Sequence, residues 1–70
     1  MNKAKLSTAL KVARAKKDMK QSDLAKASGV ALITIAKIEA KNINYMPSIS
    51  TLVKLANSLG VNPETLTKFL

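Results

Sequence analysis

The sequence predicts an all-α fold, in which a single domain of five helices spans residues 1–70. Apolar residues recur at spacings of three and four, and no stretch alternates apolar with polar residues as a half-buried strand would. The chain also contains only two glycines and two prolines. Because Tyr45 and Phe69 are the only aromatic residues, the core must consist mainly of aliphatic side chains.

The first helix is predicted from Lys3 to Lys17, with Asn2 as its N-cap. Leu6, Leu10 and Ala13 follow one another at spacings of four and three, which places them on one face of the helix. This face is therefore expected to enter the core.

The central segment predicts two short helices that are separated by a sharp turn at Gly29. The first helix spans about Gln21 to Ser28 and the second spans about Leu32 to Ala40. Glycine suits the turn because it adopts the left-handed conformation that ends many helices. The apolar residues that would form one common surface are Leu24, Ala25, Val30, Ile35 and Ile38. This layout is that of a helix-turn-helix, whose second helix can lie in the major groove of DNA.

The C-terminal part predicts two further helices. The fourth begins at Pro47 and Ser48, with Ser48 as its cap, and stops at Gly60. Its predicted buried face contains Ile49, Leu52, Leu55, Ala56 and Leu59. The order Asn62, Pro63, Glu64 supplies a cap, a proline at the first position and an acid in the first turn of the fifth helix. In the loop before the fourth helix, Met46 is expected to cover the edge of the core.

The chain is strongly basic, with a formal net charge of +8. Ten of its twelve basic residues and three of its four acidic residues lie within residues 1–41, which gives this part a charge of +7. Such a charge favours nucleic acid or an anionic membrane surface as partner, although a solvated lysine-rich face would give the same composition. The coincidence of this charge with the helix-turn-helix favours nucleic acid.

Composition argues against an enzyme, a metal site or a membrane span. The chain has no cysteine and no histidine, and its four carboxylates are scattered. No apolar run approaches the roughly 20 residues that span a bilayer, and short helices with firm stop signals disfavour a membrane-active peptide. We expect no cofactor, no small-molecule substrate and a location in the cytoplasm of a bacterial or phage-infected cell.

Residues along nearly the whole chain resemble the phage repressor and Cro type of helix-turn-helix protein, the XRE family. The matching positions of the central segment are Gln21, Leu24, Ala25, Gly29, Val30, Thr34, Ile35, Ile38 and Glu39. Leu10 and Arg14 match the first helix of the family, and positions from Pro47 to Val61 match its fourth. The resemblance implies a five-helix lambda-repressor-like domain that binds double-stranded DNA.

The resemblance also implies which side chains contact DNA. Base reading is expected from Ala31, Leu32, Ile33, Ala36 and Lys37, and phosphate contacts are expected from Lys20, Gln21, Thr34, Lys41, Asn42 and Asn44. The family usually has polar residues at several reading positions, whereas here Thr34 and Lys37 are the polar ones. Leu32 and Ile33 are therefore open to three interpretations: contact with thymine methyl groups, partial burial in the core, or a protein interface.

Two structural roles follow from the same resemblance. Arg14 is expected to pair with Glu39, since a guanidinium can bind both oxygens of a carboxylate. Leu66, Phe69 and Leu70 are candidates for a dimer interface, and the alternative is that they close the core of a monomer. Together these expectations describe a Cro-like repressor that binds a two-fold operator as a homodimer. The alternative is an antitoxin-like or other protein-interaction module on the same scaffold, with Leu32 and Ile33 facing the partner.

Overall fold

Five α-helices form the fold of the protein in a computed structural model, which describes residues 2–40 and 45–70. They are α1 (Lys3–Lys16), α2 (Gln21–Ser28), α3 (Leu32–Glu39), α4 (Ile49–Leu59) and α5 (Glu64–Thr67). The described residues contain no strand. The predicted all-α class and the five helices are confirmed, and α1 and α3 each end one residue earlier than predicted.

Side-chain caps explain where two of the helices begin. The Asn2 side chain accepts the backbone N–H of Lys5 at 3.0 Å, at the start of α1. The Ser48 hydroxyl accepts the backbone N–H of Thr51 at 3.2 Å, at the start of α4. Each oxygen satisfies an N–H group that has no acceptor within its own helix, and both caps agree with the sequence prediction.

One aliphatic core joins the helices. α1 packs against α3 and α5, α2 packs against α3 and α4, and α4 packs against α5. The core residues are Leu6, Leu10, Ala13, Leu24, Val30, Ile35, Ile38, Leu52, Leu55, Ala56, Leu59 and Leu66. None of the helices described is long and apolar enough to cross a membrane.

Three predicted placements of apolar side chains were wrong. Met46 and Ile49 are 64% and 63% exposed. Tyr45 packs against the core instead, Pro47 is buried, and the buried face of α4 begins at Leu52. Leu66, in contrast, is fully buried. It belongs to the core between α5 and its neighbours, so its side chain is not available to a dimer interface.

Candidate DNA-binding surface

The turn between α2 and α3 is fixed by one glycine and one serine. Gly29 has φ of +75° and donates its N–H to the carbonyl oxygen of Ala25 at 3.0 Å, which ends α2. The Ser28 hydroxyl donates to the carbonyl of Leu24 at 2.7 Å and accepts the N–H of Val30 at 3.1 Å. The serine thus bridges the turn, and the angle between the two helices is held by local hydrogen bonds.

α3 has one buried and one exposed face. Ile35 and Ile38 are essentially fully buried, whereas Leu32 and Ile33 are 47% and 65% exposed and Lys37 is also exposed. Ile33 is therefore mostly exposed, whereas about half of the Leu32 surface is covered, and contact with DNA or with a protein stays a prediction for both residues. The other predicted base-reading residues are less uniform, since Ala31 is exposed and Ala36 is half-buried, and the predicted phosphate ligand Thr34 is also half-buried.

A bidentate ion pair connects α1 to the end of α3. The Nε and Nη2 atoms of Arg14 lie 2.9 and 3.0 Å from the two carboxylate oxygens of Glu39, which is where the family resemblance places the pair. Nη1 of Arg14 also donates to the carbonyl of Met19 at 2.8 Å. These hydrogen bonds to Glu39 raise the pKa of the Arg14 guanidinium above its ordinary value, against a smaller opposing effect of desolvation.

Glu39, at the end of α3, is only 4% exposed and forms hydrogen bonds with residues of both α1 and α2. The amide of Gln21, at the start of α2, donates to Oε1 of Glu39 at 3.1 Å. The buried hydroxyl of Ser7, in α1, donates to the backbone carbonyl of Glu39 at 2.7 Å. The described part of the protein therefore leaves no buried polar side-chain atom without a partner.

Two of these contacts differ from the sequence expectation. Gln21 was expected to present its amide protons to phosphate, but its side chain is half-buried and turned towards Glu39. A phosphate contact from Gln21 stays a prediction that depends on the remaining amide proton and the backbone. The hydrogen bond from Ser7 to Glu39 was not predicted, although Ser7 lies seven residues before Arg14 and therefore on the same face of α1.

The two helices of the helix-turn-helix differ from α1 and α4 at their N-termini. The N-cap residues of α2 and α3, Lys20 and Ala31, make no side-chain capping bond. Asp23 accepts the backbone N–H of Lys20 at 2.9 Å, and the Lys20 ammonium group is exposed. The first backbone N–H groups of α2 and α3 have no acceptor within their own helix. Such N–H groups can donate hydrogen bonds to a phosphate.

Lys37 shares an aromatic neighbour with a lysine of α1. The Nζ atoms of Lys37 and Lys3 each lie 5.7 Å from the centroid of the Tyr45 ring. Lys3 also donates to the backbone carbonyl of Tyr45 at 2.8 Å. Two ammonium groups therefore converge at the C-terminal end of α3, beside the exposed face. The predicted phosphate ligands Lys41, Asn42 and Asn44 lie outside the described residues.

These features define the class: the protein has a helix-turn-helix domain whose second helix presents a mixed apolar and cationic face to solvent. Residues 10–66 match the family model described as HTH_3, helix-turn-helix. The chain therefore belongs to this family, which is of the XRE type that the sequence resembles.

Two solved structures have the same fold. An HTH_3 family transcriptional regulator from Vibrio cholerae superposes with a TM-score of 0.84 at 25% identity, covering 97% of this chain and 37% of the other. The hypothetical transcription factor NHTF from Neisseria gives a TM-score of 0.82 at 27% identity, covering 94% of this chain and 74% of the other. The chain thus spans about a third of the Vibrio regulator and three quarters of the Neisseria protein. None of the curated proteins matches it.

Proposed function

We propose that the protein regulates transcription by binding a specific site on double-stranded DNA, with α3 in the major groove. The observation that carries this proposal is the exposed face of α3, which is turned to solvent because Ile35 and Ile38 on the opposite face are buried. The chain also belongs to a family of helix-turn-helix proteins. Lys37 supplies a donor for guanine, and Leu32 and Ile33 supply apolar contact for thymine methyl groups. The two structural relatives, which are described as a transcriptional regulator and a transcription factor, support the same function.

The decisive experiment is selection of bound duplexes from a random DNA pool, followed by titration of the selected duplex into labelled protein. We expect an enriched sequence and shifted NMR signals for the backbone amides between Gly29 and Ala40. Enrichment of no sequence, or shifts elsewhere in the protein only, would contradict the proposal.

We further propose that two copies occupy a two-fold operator and repress transcription by blocking access of polymerase, in the manner of a Cro-like protein in a bacterial or phage-infected cell. One helix offers a small contact area, and a second copy doubles it. Of the residues expected at the dimer contact, Leu70 is 39% exposed and Phe69 is half-buried. Leu70→Asp should therefore reduce the apparent mass in sedimentation without unfolding the protein, and an unchanged mass would place the contact elsewhere.

A protein-interaction module remains the second candidate, because Leu32 and Ile33 form an exposed apolar pair that also suits a protein partner. The salt dependence of the binding affinity distinguishes the two functions. Binding that depends on phosphate contacts weakens steeply as salt rises, whereas apolar contact with a protein does not. Retention of full affinity for duplex between 50 and 200 mM salt would therefore argue against the DNA-binding proposal.

A further inference from the structure

A long apolar groove lies on the side of α1 that packs against α5, and the proposed DNA contact does not use it. Its larger hollow has a volume of about 450 Å³ and its smaller one about 400 Å³. Ala9 and Phe69 line both hollows, so the two hollows adjoin each other. We call this feature the α1–α5 groove. Its floor and walls are formed mainly by Ala4, Ala9, Val12, Leu59, Val61 and Phe69.

The rim of the groove is cationic. Lys5 lines the smaller hollow, and Lys16, Lys17 and Lys68 line the larger one. No carboxylate lines either hollow, and within residues 2–40 and 45–70 none of these lysines makes an ion pair. The α1–α5 groove therefore combines an apolar floor with uncompensated positive charge.

Side chains at the groove are held in place by contacts within the domain. Nζ of Lys68 lies 5.2 Å from the centroid of the Phe69 ring. The Nζ atom of Lys17 would lie only 3.4 Å from a Cβ added at Gly60, so this ammonium group lies directly over the turn after α4. Val12, on the open side, is 46% exposed. The apolar floor is thus accessible, and two of the four ammonium groups are positioned beside it.

The shape of the groove distinguishes between kinds of ligand. The lining residues on α1 run from Ala4 to Lys16, which is about 18 Å at 1.5 Å per residue. That length suits three turns of a helix with one apolar anchor in each hollow, and it exceeds what a compact small molecule needs. A second copy of this chain fits poorly in the groove, because a two-fold contact there would bring two sets of four lysines together. The proposed dimer contact is therefore assigned to Leu70, which does not line the groove, and not to Phe69.

From this combination we propose that the α1–α5 groove docks an acidic amphipathic helix of a partner protein. The apolar face of the helix enters the two hollows, and its carboxylates face Lys5, Lys16, Lys17 and Lys68. Ser7 and Arg14, the α1 residues that bond to the end of α3, do not line the groove, so the docked helix leaves the exposed face of α3 open. The proposal does not depend on DNA binding.

A synthetic 18-residue helical peptide tests the proposal. It has leucine at the first, fourth and fifth positions of each seven-residue repeat and glutamate at the other positions. Fluorescence anisotropy with the full chain gives the affinity, and NMR shift mapping gives the location. We expect shifts along α1 and α5 and at least tenfold weaker binding to Val12→Asp and to Lys68→Glu. A peptide with serine in place of leucine should bind at least tenfold more weakly than the leucine peptide.

Matched controls make the result decisive. Met46→Asp changes an exposed apolar residue outside the groove, and Lys54→Glu makes the same charge change as Lys68→Glu on α4. Both should bind the peptide within twofold of the unchanged protein. Equal losses for Lys54→Glu and Lys68→Glu would reduce the effect to general charge attraction and overturn the proposal. Shifts confined to α3 would also overturn it, as would a change of sedimentation mass in Val12→Asp, which would identify a second copy as the occupant.

Discussion

At the scale of single residues, Glu39 determines how the helix-turn-helix is supported. Its carboxylate binds Arg14 of α1 and Gln21 of α2, while its backbone carbonyl accepts the hydroxyl of Ser7. One buried side chain at the end of α3 therefore fixes α3 against two other helices. Removing the carboxylate leaves Arg14 and Gln21 without their acceptor. The loss of folding free energy is then larger than the net contribution of the hydrogen bonds, because a partly buried donor stays unpaired.

Glu39→Ala should lower the free energy of unfolding by about 2–3 kcal/mol, at the lower end for buried pairs because Arg14 is partly exposed. In a domain of this size that corresponds to a fall in melting temperature of roughly 10–20 °C. Glu39→Gln should lose less, since one acceptor oxygen remains. Glu64→Ala, which removes an exposed acid from the first turn of α5, is the control and should cost no more than about 1 kcal/mol. An unchanged melting curve for Glu39→Ala would show that the pair has no structural role.

Lys37 is the residue of α3 with the clearest prediction for DNA affinity. Lys37→Ala should weaken binding to the selected operator more than binding to random duplex, because a base contact is lost only on the cognate site. Lys26→Ala, which removes an exposed lysine of α2, should weaken both alike. The affinities are measured by fluorescence anisotropy. If Lys37→Ala loses the same affinity for both duplexes, Lys37 contacts only the DNA backbone.

At the scale of elements, the turn between α2 and α3 depends on a residue that tolerates positive φ. A Cβ at Gly29 would meet no atom within 4 Å, so a side chain there is opposed by backbone strain and not by a clash. The Ser28 hydroxyl completes the turn by bridging Leu24 and Val30. The relative orientation of α2 and α3 is therefore encoded within a few consecutive residues.

Gly29→Ala should reduce the free energy of unfolding by about 1 kcal/mol, the usual cost of a left-handed alanine. Gly29→Asn is the matched variant and should cost less, because asparagine tolerates this conformation. Denaturant titration of the three proteins measures the difference. Equal stability of the alanine variant and the unchanged protein would mean that the turn relaxes away from φ of +75°.

At the scale of the whole molecule, positive charge is divided between two surfaces. Lys3 and Lys37 converge on Tyr45 beside the exposed face of α3, whereas Lys16 and Lys17 line the α1–α5 groove. Net charge alone does not reveal this division, since all four lysines lie within the basic first part of the chain. The formal charge of +8 therefore overstates the charge that is available to one DNA site.

This division predicts different salt dependence for two variants of equal charge. Replacing Lys20 and Lys37 by glutamine should lower the slope of log affinity for duplex against log salt by about one, because Lys20 is expected to contact a phosphate and Lys37 a base. Replacing Lys16 and Lys17 by glutamine removes the same charge and should leave the slope within about 0.5 of the original. Equal slopes for the two variants would contradict the separation of the surfaces.

Local signals explain why most of the fold was predictable. Asn2, Ser48, Gly29 and Gly60 mark helix ends through their own backbone and side-chain chemistry, and the structure places helix ends at all four. Periodicity also identified the buried faces of α1 and α3. Leu66 was misplaced because a core residue and an interface residue have the same apolar character, and only packing between α5 and its neighbours distinguishes them.

The candidate site was less predictable than the fold. Periodicity could not decide whether Leu32 is covered, because this depends on how far neighbouring helices reach. The orientation of the Gln21 amide depends on Glu39, which lies 18 positions away in the sequence. The convergence of Lys3 and Lys37 on Tyr45 brings together residues from three separate parts of the chain, and no sequence pattern indicates it.

The proposed contact of the exposed Leu32 and Ile33 with thymine methyl groups has a consequence for the chemistry of the DNA that the protein would accept. Aliphatic side chains in the major groove recognise the methyl group at C5 of a pyrimidine and not the pyrimidine itself. Replacing a contacted thymine by uracil should then weaken the complex, and 5-methylcytosine at the same step should restore part of the affinity. A protein that reads DNA in this way would respond to cytosine methylation without any residue devoted to detecting it.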